Sequence, residues 1–129
     1  MNQAESQKSE RDWSSFIYLA VLSGAVIPFF NIILPYVLWK MKQGQSALID
    51  RHAKIVLNFQ ISLTLVVFAG LILMGIFYSI GSVFSLLGYL IYFGIVLLGI
   101  ANIVLMILGA IKVNKGEDLN LDYGWRFIK

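Results

Sequence analysis

From Ile55 to Ile111 the chain contains no Asp, Glu, Lys, Arg or His. A water-soluble domain of 129 residues leaves roughly a third of its surface exposed, so a charge-free stretch this long has too little interior to hide in. Lipid is therefore the solvent that this part of the sequence expects. Composition agrees: 59% of residues are hydrophobic and 13% are charged, about half the charged fraction usual in soluble domains. The chain has no cysteine, which removes disulfides, a thiolate nucleophile and a thiolate metal site. Its pI near 9.3 does not mark a nucleic-acid binder, because the basic residues flank apolar segments instead of forming a stripe.

Three apolar blocks stand out, Phe16 to Trp39, Ile55 to Ile80 and Val83 to Ile111. At ~1.5 Å per residue, each of the last two can cross a ~30 Å hydrocarbon core with some tilt. The short connection around Gly81 and Ser82 makes them antiparallel neighbours. Lys40, Lys42, Arg51 and Lys54 lie between the first two blocks, and Lys112, Lys115, Arg126 and Lys129 follow the third, while the Gly81 connection has no basic residue. The bias puts the loop from Lys40 to Lys54 and the C-terminus in the cytoplasm. The first fifteen residues are polar and of mixed sign, with no clear cleavage signal, and residues 1–12 are expected to be an uncleaved, flexible tail.

The first block contains Pro28, Asn31 and Pro35. Two arrangements fit it. One is a single kinked span with the N-terminus outside; the other is a pair of short helices that turns at Pro28 to Asn31 and returns to the side it left. Each half is short for a full crossing, so the second arrangement is a re-entrant or strongly tilted hairpin. Both prolines should interrupt helix, and the Asn31 amide suits the capping of a turn at membrane depth. Trp13 at one end and Trp39, Lys40 and Lys42 at the other look interfacial, and the hairpin follows if Trp13 and Trp39 share an interface.

The richest polar run is "IDRHAKIVLNFQISLT", residues 49–64. Asp50, Lys54 and Asn58 follow at i, i+4 and i+8, with Arg51 beside them and Ser62 continuing the face; Gln60 and Thr64 lie opposite. Amide side chains inside a membrane helix seek a partner helix, which makes this helix the centre of a bundle, by interhelical hydrogen bonding or, alternatively, by lining a polar path. His52 is the only histidine and lacks the companions that a metal or acid–base site needs; it reads as an interfacial polar residue. Asp50 sits where the helix dipole favours an anion. In the third block Gly88, Tyr92, Gly99, Asn102, Met106, Gly109 and Ala110 share one side of a helical wheel, a packing stripe with Asn102 as its polar member. In the tail, Leu119, Leu121, Tyr123, Trp125 and Phe127 alternate with Asn120, Asp122, Gly124 and Arg126, as a short extended segment on the interface would, or alternatively a partner-binding strand.

No phosphate-binding glycine loop, nucleophile with adjacent base or carboxylate pair is evident, which disfavours an enzyme; with no ionisable group at membrane depth a proton-coupled pump is disfavoured too. No cofactor and no metal is expected.

Three stretches, "WSSFIYLAVLSGAVIPFFNIILPYVLWKMK", "IDRHAKIVLNFQ" and "KGEDLNLDYGWRFIK", resemble a family of small bacterial membrane proteins of unknown function grouped with the twenty-kilodalton subunit of the chloroplast inner-envelope translocon (Tic-twenty-like). The resemblance implies a four-helix protein with both termini on one side and raises a role in polypeptide translocation or insertion. It supplies no catalytic residues, and Gly124 stands after Tyr123 where that family carries a proline.

The sequence thus predicts an all-α integral membrane protein with one domain over residues 13–129. Its parts are a Pro-broken hairpin at 13–42, spans at 50–80 and 83–112, and a cytoplasmic interfacial tail at 113–129. The expected host is the bacterial cytoplasmic membrane, and the expected partners are lipid and either other membrane proteins or further copies of the chain. A non-enzymatic scaffold or accessory subunit is the leading function. A small oligomeric channel or transporter and a regulatory or immunity protein are the alternatives.

Overall fold

In a computed structural model the chain folds into four helices with no strand among the described residues, which are residues 3–27 and 29–116, with side chains from residue 5. Helix α1 (Gln3–Ala20) runs into a 3₁₀ turn (Val21–Ala25) and is followed by α2 (Phe30–Lys42), α3 (Ala47–Ile80) and α4 (Phe84–Asn114). The two long helices, of 34 and 31 residues, are apolar enough to cross a membrane, and the fold is a small helical membrane bundle.

The first apolar block is a hairpin. Trp13 Nε1 donates to the Leu38 carbonyl at 2.9 Å, and the Lys42 ammonium lies 5.3 Å from the centre of the Trp13 ring, so the start of the block and its end stand at one level. The chain turns where three features meet. The α-helix tightens to 3₁₀, Phe29 adopts a left-handed φ of 70°, and Gly24 brings the 3₁₀ turn against α2 so closely that a Cβ there would fall 2.7 Å from Asn31 Cβ. Left-handed backbone is costly for a bulky residue and persists when surrounding contacts over-determine it. Here the Phe29 ring stacks on Phe68 of α3 at 5.7 Å.

Asn31 does not cap this turn, contrary to the expectation from sequence. The Ser23 hydroxyl does that work, lying 2.7 Å from the Ala20 carbonyl and 3.3 Å from that of Phe30, and the Asn31 side chain is left to reach sideways. Nor does Pro35 interrupt: it is buried inside an unbroken α2, where its missing N–H costs the Asn31 carbonyl its i+4 donor. Pro28, the other expected breaker, lies outside the described residues, as does the tail from residue 117. Residues 3–12, read as a flexible tail, are the opening turns of α1. Gln, Ala, Glu, Lys and Arg are good helix formers, and Glu5 in the first turn suits the dipole.

Helix α3 starts at an N-cap, where Ser46 Oγ accepts from Ile49 N at 3.3 Å, and it ends at Gly81, whose φ of 76° only glycine adopts freely. The core lies at the end of the bundle that holds both hairpin ends. Ile17 and Val21 from the hairpin, Ala53, Val56 and Leu57 from α3, and Met106, Ala110 and Val113 from α4 are buried together. Ser15 Oγ donates to the Ala110 carbonyl at 3.1 Å and accepts from Asn114 Nδ2 at 3.2 Å, which ties α1 to the C-terminal turns of α4. Beyond Phe68 the two long helices continue without the hairpin, and Ile72, Ile76, Leu90, Phe93 and Leu97 are exposed.

A polar network between the helices

Asn31, Gln60, Thr64 and Asn102 come from three different helices and meet in the middle of the bundle. Asn31 Nδ2 donates to Gln60 Oε1 at 3.0 Å and to Thr64 Oγ1 at 3.2 Å. Gln60 Nε2 donates to Asn102 Oδ1 at 2.6 Å, and Asn102 Nδ2 returns a bond to Gln60 Oε1 at 3.3 Å. Gln60 is fully buried, and its carbonyl oxygen takes both of its lone-pair partners from neighbouring helices. The arrangement pins the tip of the hairpin to both long helices. It contains no ionisable group, so its chemistry is adhesion and not proton transfer.

A second polar centre lies nearer the chain termini. His52 is 1% exposed, and its Nδ1 is 2.8 Å from the Tyr18 hydroxyl, with the direction of the bond depending on the imidazole tautomer; the rings meet edge to face at 5.5 Å. His52, expected from sequence as an interfacial polar residue, is buried against protein and joins α1 to α3. Tyr18 fits because Gly109 of α4 offers no side chain: a Cβ there would lie 2.5 Å from Tyr18 Cδ1. Beside this pair opens a cleft of about 370 Å³ bordered by Glu10, Arg11, Arg51 and His52.

Asp50 closes the loop between α2 and α3. Its Oδ1 accepts from Trp39 Nε1 at 2.9 Å, and both carboxylate oxygens lie 3.3 Å from Gly44 N. The carboxylate thus holds an aromatic residue and a loop amide, besides sitting at a helix start. Arg51 is exposed, while Lys54 and Asn58 are half-buried. Among the described residues no group of three or more His, Asp and Glu side chains could hold a metal ion.

The stripe expected on α4 splits into parts. Met106, Gly109 and Ala110 pack on the hairpin, and Gly88 receives the Tyr78 ring, whose Cε1 would lie 2.6 Å from an added Cβ. Gly99 has nothing near it and Tyr92 is half exposed, because the hairpin ends below them. Sequence reasoning missed Tyr18, Ser15 and Asn114. Gly109 was legible as part of a packing stripe, but its partner Tyr18, 91 positions away, was not.

No curated protein and no solved structure matches the chain. The resemblance to the translocon-related family does not stand, since the family that matches is another one, and the translocation role that it carried falls with it. With residues 9–128 matched, from the last turns of α1's polar start through all four helices, the chain belongs to the MamF/MmsF family, the magnetosome magnetite crystal formation protein family.

Proposed function

We propose that this chain is a non-enzymatic protein of the magnetosome membrane that takes part in magnetite crystal formation as a structural member of a membrane assembly. The observation that carries this reading is the family match across nearly the whole chain. The interior polar groups support it: Asn31, Gln60, Thr64 and Asn102 are engaged with one another, as in a scaffold. By the charge bias, the loop after Lys40 and the end of α4 face the cytoplasm, and the uncharged turn at Gly81 faces the other side. Exposed apolar side chains along α3 and α4 leave room for other membrane proteins or further copies of the chain.

Deletion of the gene in a magnetite-forming bacterium, followed by electron microscopy of the crystals and fractionation of the tagged protein, tests the reading. Altered crystal size or shape, restored by the wild-type chain and with the tagged protein in the magnetosome fraction, is expected. Unchanged crystals in the deletion strain would refute it.

A further inference from the structure

The hairpin reaches only halfway along the spans. From Trp39 at its base to Phe30 at its tip is about 14 Å along α2, roughly half of a ~30 Å hydrocarbon core. At the tip Phe29 stacks on Phe68, and beyond that contact α3 runs on for about 18 Å to Ile80. The outward side chains of the hairpin are apolar and open, with Phe16, Val26, Ile33, Val37 and Met41 all exposed, so this element faces lipid and not water. Above the tip a cleft of about 530 Å³ remains, bordered by Ala25, Phe29, Leu71, Val96 and Ile100.

The cross-section is therefore unequal. The half of the bilayer that holds the start of α1 and the end of α4 contains four helical segments, and the opposite half contains two. Each helix has a diameter of about 10 Å with its side chains, so the protein takes up about twice the area in one leaflet that it takes up in the other. Lipid must fill the difference, and it does so at least strain when the membrane is convex on the hairpin side. Apolar elements inserted into one leaflet are curvature-sensitive for this reason.

We propose that the chain is a membrane wedge: the half-depth hairpin Trp13–Lys42, locked to the long helices by Asn31, favours bilayers curved convexly toward the side of the hairpin base and the end of α4. The lock matters, because a loosely attached hairpin could float to the interface and the area difference would shrink. Among its anchors are the Asn31–Gln60 bond, the Tyr18–His52 pair and the Phe29–Phe68 stack. The inference rests on placing the bundle in a membrane and not on the link with crystals, so the outcome of the deletion experiment does not decide it.

The test uses the full chain, reconstituted in both orientations into vesicles of phosphatidylcholine and phosphatidylglycerol of mixed diameter. A single cysteine, Gln45→Cys in this cysteine-free chain, reports with an impermeant dye which molecules have the hairpin base outward. The outward-to-inward ratio is expected to rise several-fold from the largest to the smallest vesicles; a ratio independent of diameter overturns the wedge. A second variant, Val26→Cys carrying a nitroxide, reports the depth of the tip. Relaxation by oxygen but not by a water-soluble nickel complex is expected, and strong relaxation by nickel would mean that the hairpin does not stop inside the bilayer, which also overturns it.

Discussion

The Tyr18 ring lies against Gly109 of α4, where no side chain stands in its way, and its hydroxyl reaches on to His52 of α3. One aromatic residue therefore joins the hairpin to both long helices. Gly109→Ala should displace the ring, because the added Cβ meets Tyr18 Cδ1 and Cε1 at 2.5 and 2.6 Å. A loss of about 1–3 kcal/mol is expected from overpacking, read as a lower midpoint of thermal unfolding in detergent. Gly94→Ala is the control: nothing lies near its Cβ, and alanine in a helix should raise stability by up to about 1 kcal/mol.

Tyr18→Phe keeps the ring and removes only the hydroxyl. A smaller loss, about 1 kcal/mol, is expected in the same unfolding measurement. A loss equal to that of Gly109→Ala would mean that the 2.8 Å contact with His52, and not the ring packing, dominates this junction.

Gln60→Leu removes the residue that Asn31 and Asn102 share; the Asn102 amide loses both of its bonds, and Asn31 keeps only Thr64. Measured interhelical bonds in membranes average about 0.6 kcal/mol, and an orphaned buried amide adds a further penalty, so a total of about 1–3 kcal/mol is expected. Replacing Asn31, Gln60 and Asn102 together by leucine should cost less than three single losses summed, because no amide is then left without a partner. Chemical unfolding of the single and triple variants in detergent decides between these.

Asp50→Asn should loosen the loop between α2 and α3. The carboxylate holds Trp39 and the Gly44 amide, and charge-assisted bonds of this kind are worth about 1.5–3 kcal/mol each when buried, less at this half-buried site. The expected signal is a red shift of Trp39 fluorescence as its indole gains water, read in a variant with Trp13→Phe and Trp125→Phe.

Single cysteines at Gln7, Gln45, Ser82 and Asn114 test the orientation. Labelling of Ser82 alone by an impermeant thiol reagent in intact cells is expected if both chain ends face the cytoplasm. Labelling of Gln45 and Asn114 with protection of Ser82 would invert the whole bundle.

What was legible in the sequence and what was not divides along a physical line. The charge-free run from Ile55 to Ile111 is by itself enough to require lipid and to give two long helices, because the cost of burying or exposing so many apolar residues in water does not depend on which neighbours they meet. The broken first block was legible as a break, but its two solutions, kinked span and hairpin, use the same local residues. Only the bond from Trp13 to the Leu38 carbonyl, across 25 positions, selects the hairpin. The partners of the polar side chains were equally out of reach. Asn31 looked like a turn cap because a turn is the nearest backbone to it in sequence, whereas in the fold its amide donates to Gln60 and Thr64, and it is Ser23 that bonds the carbonyls of Ala20 and Phe30. Solvent preference is a property of each residue and can be summed along a chain; the choice of partner is a property of pairs, and it exists only after the helices have met.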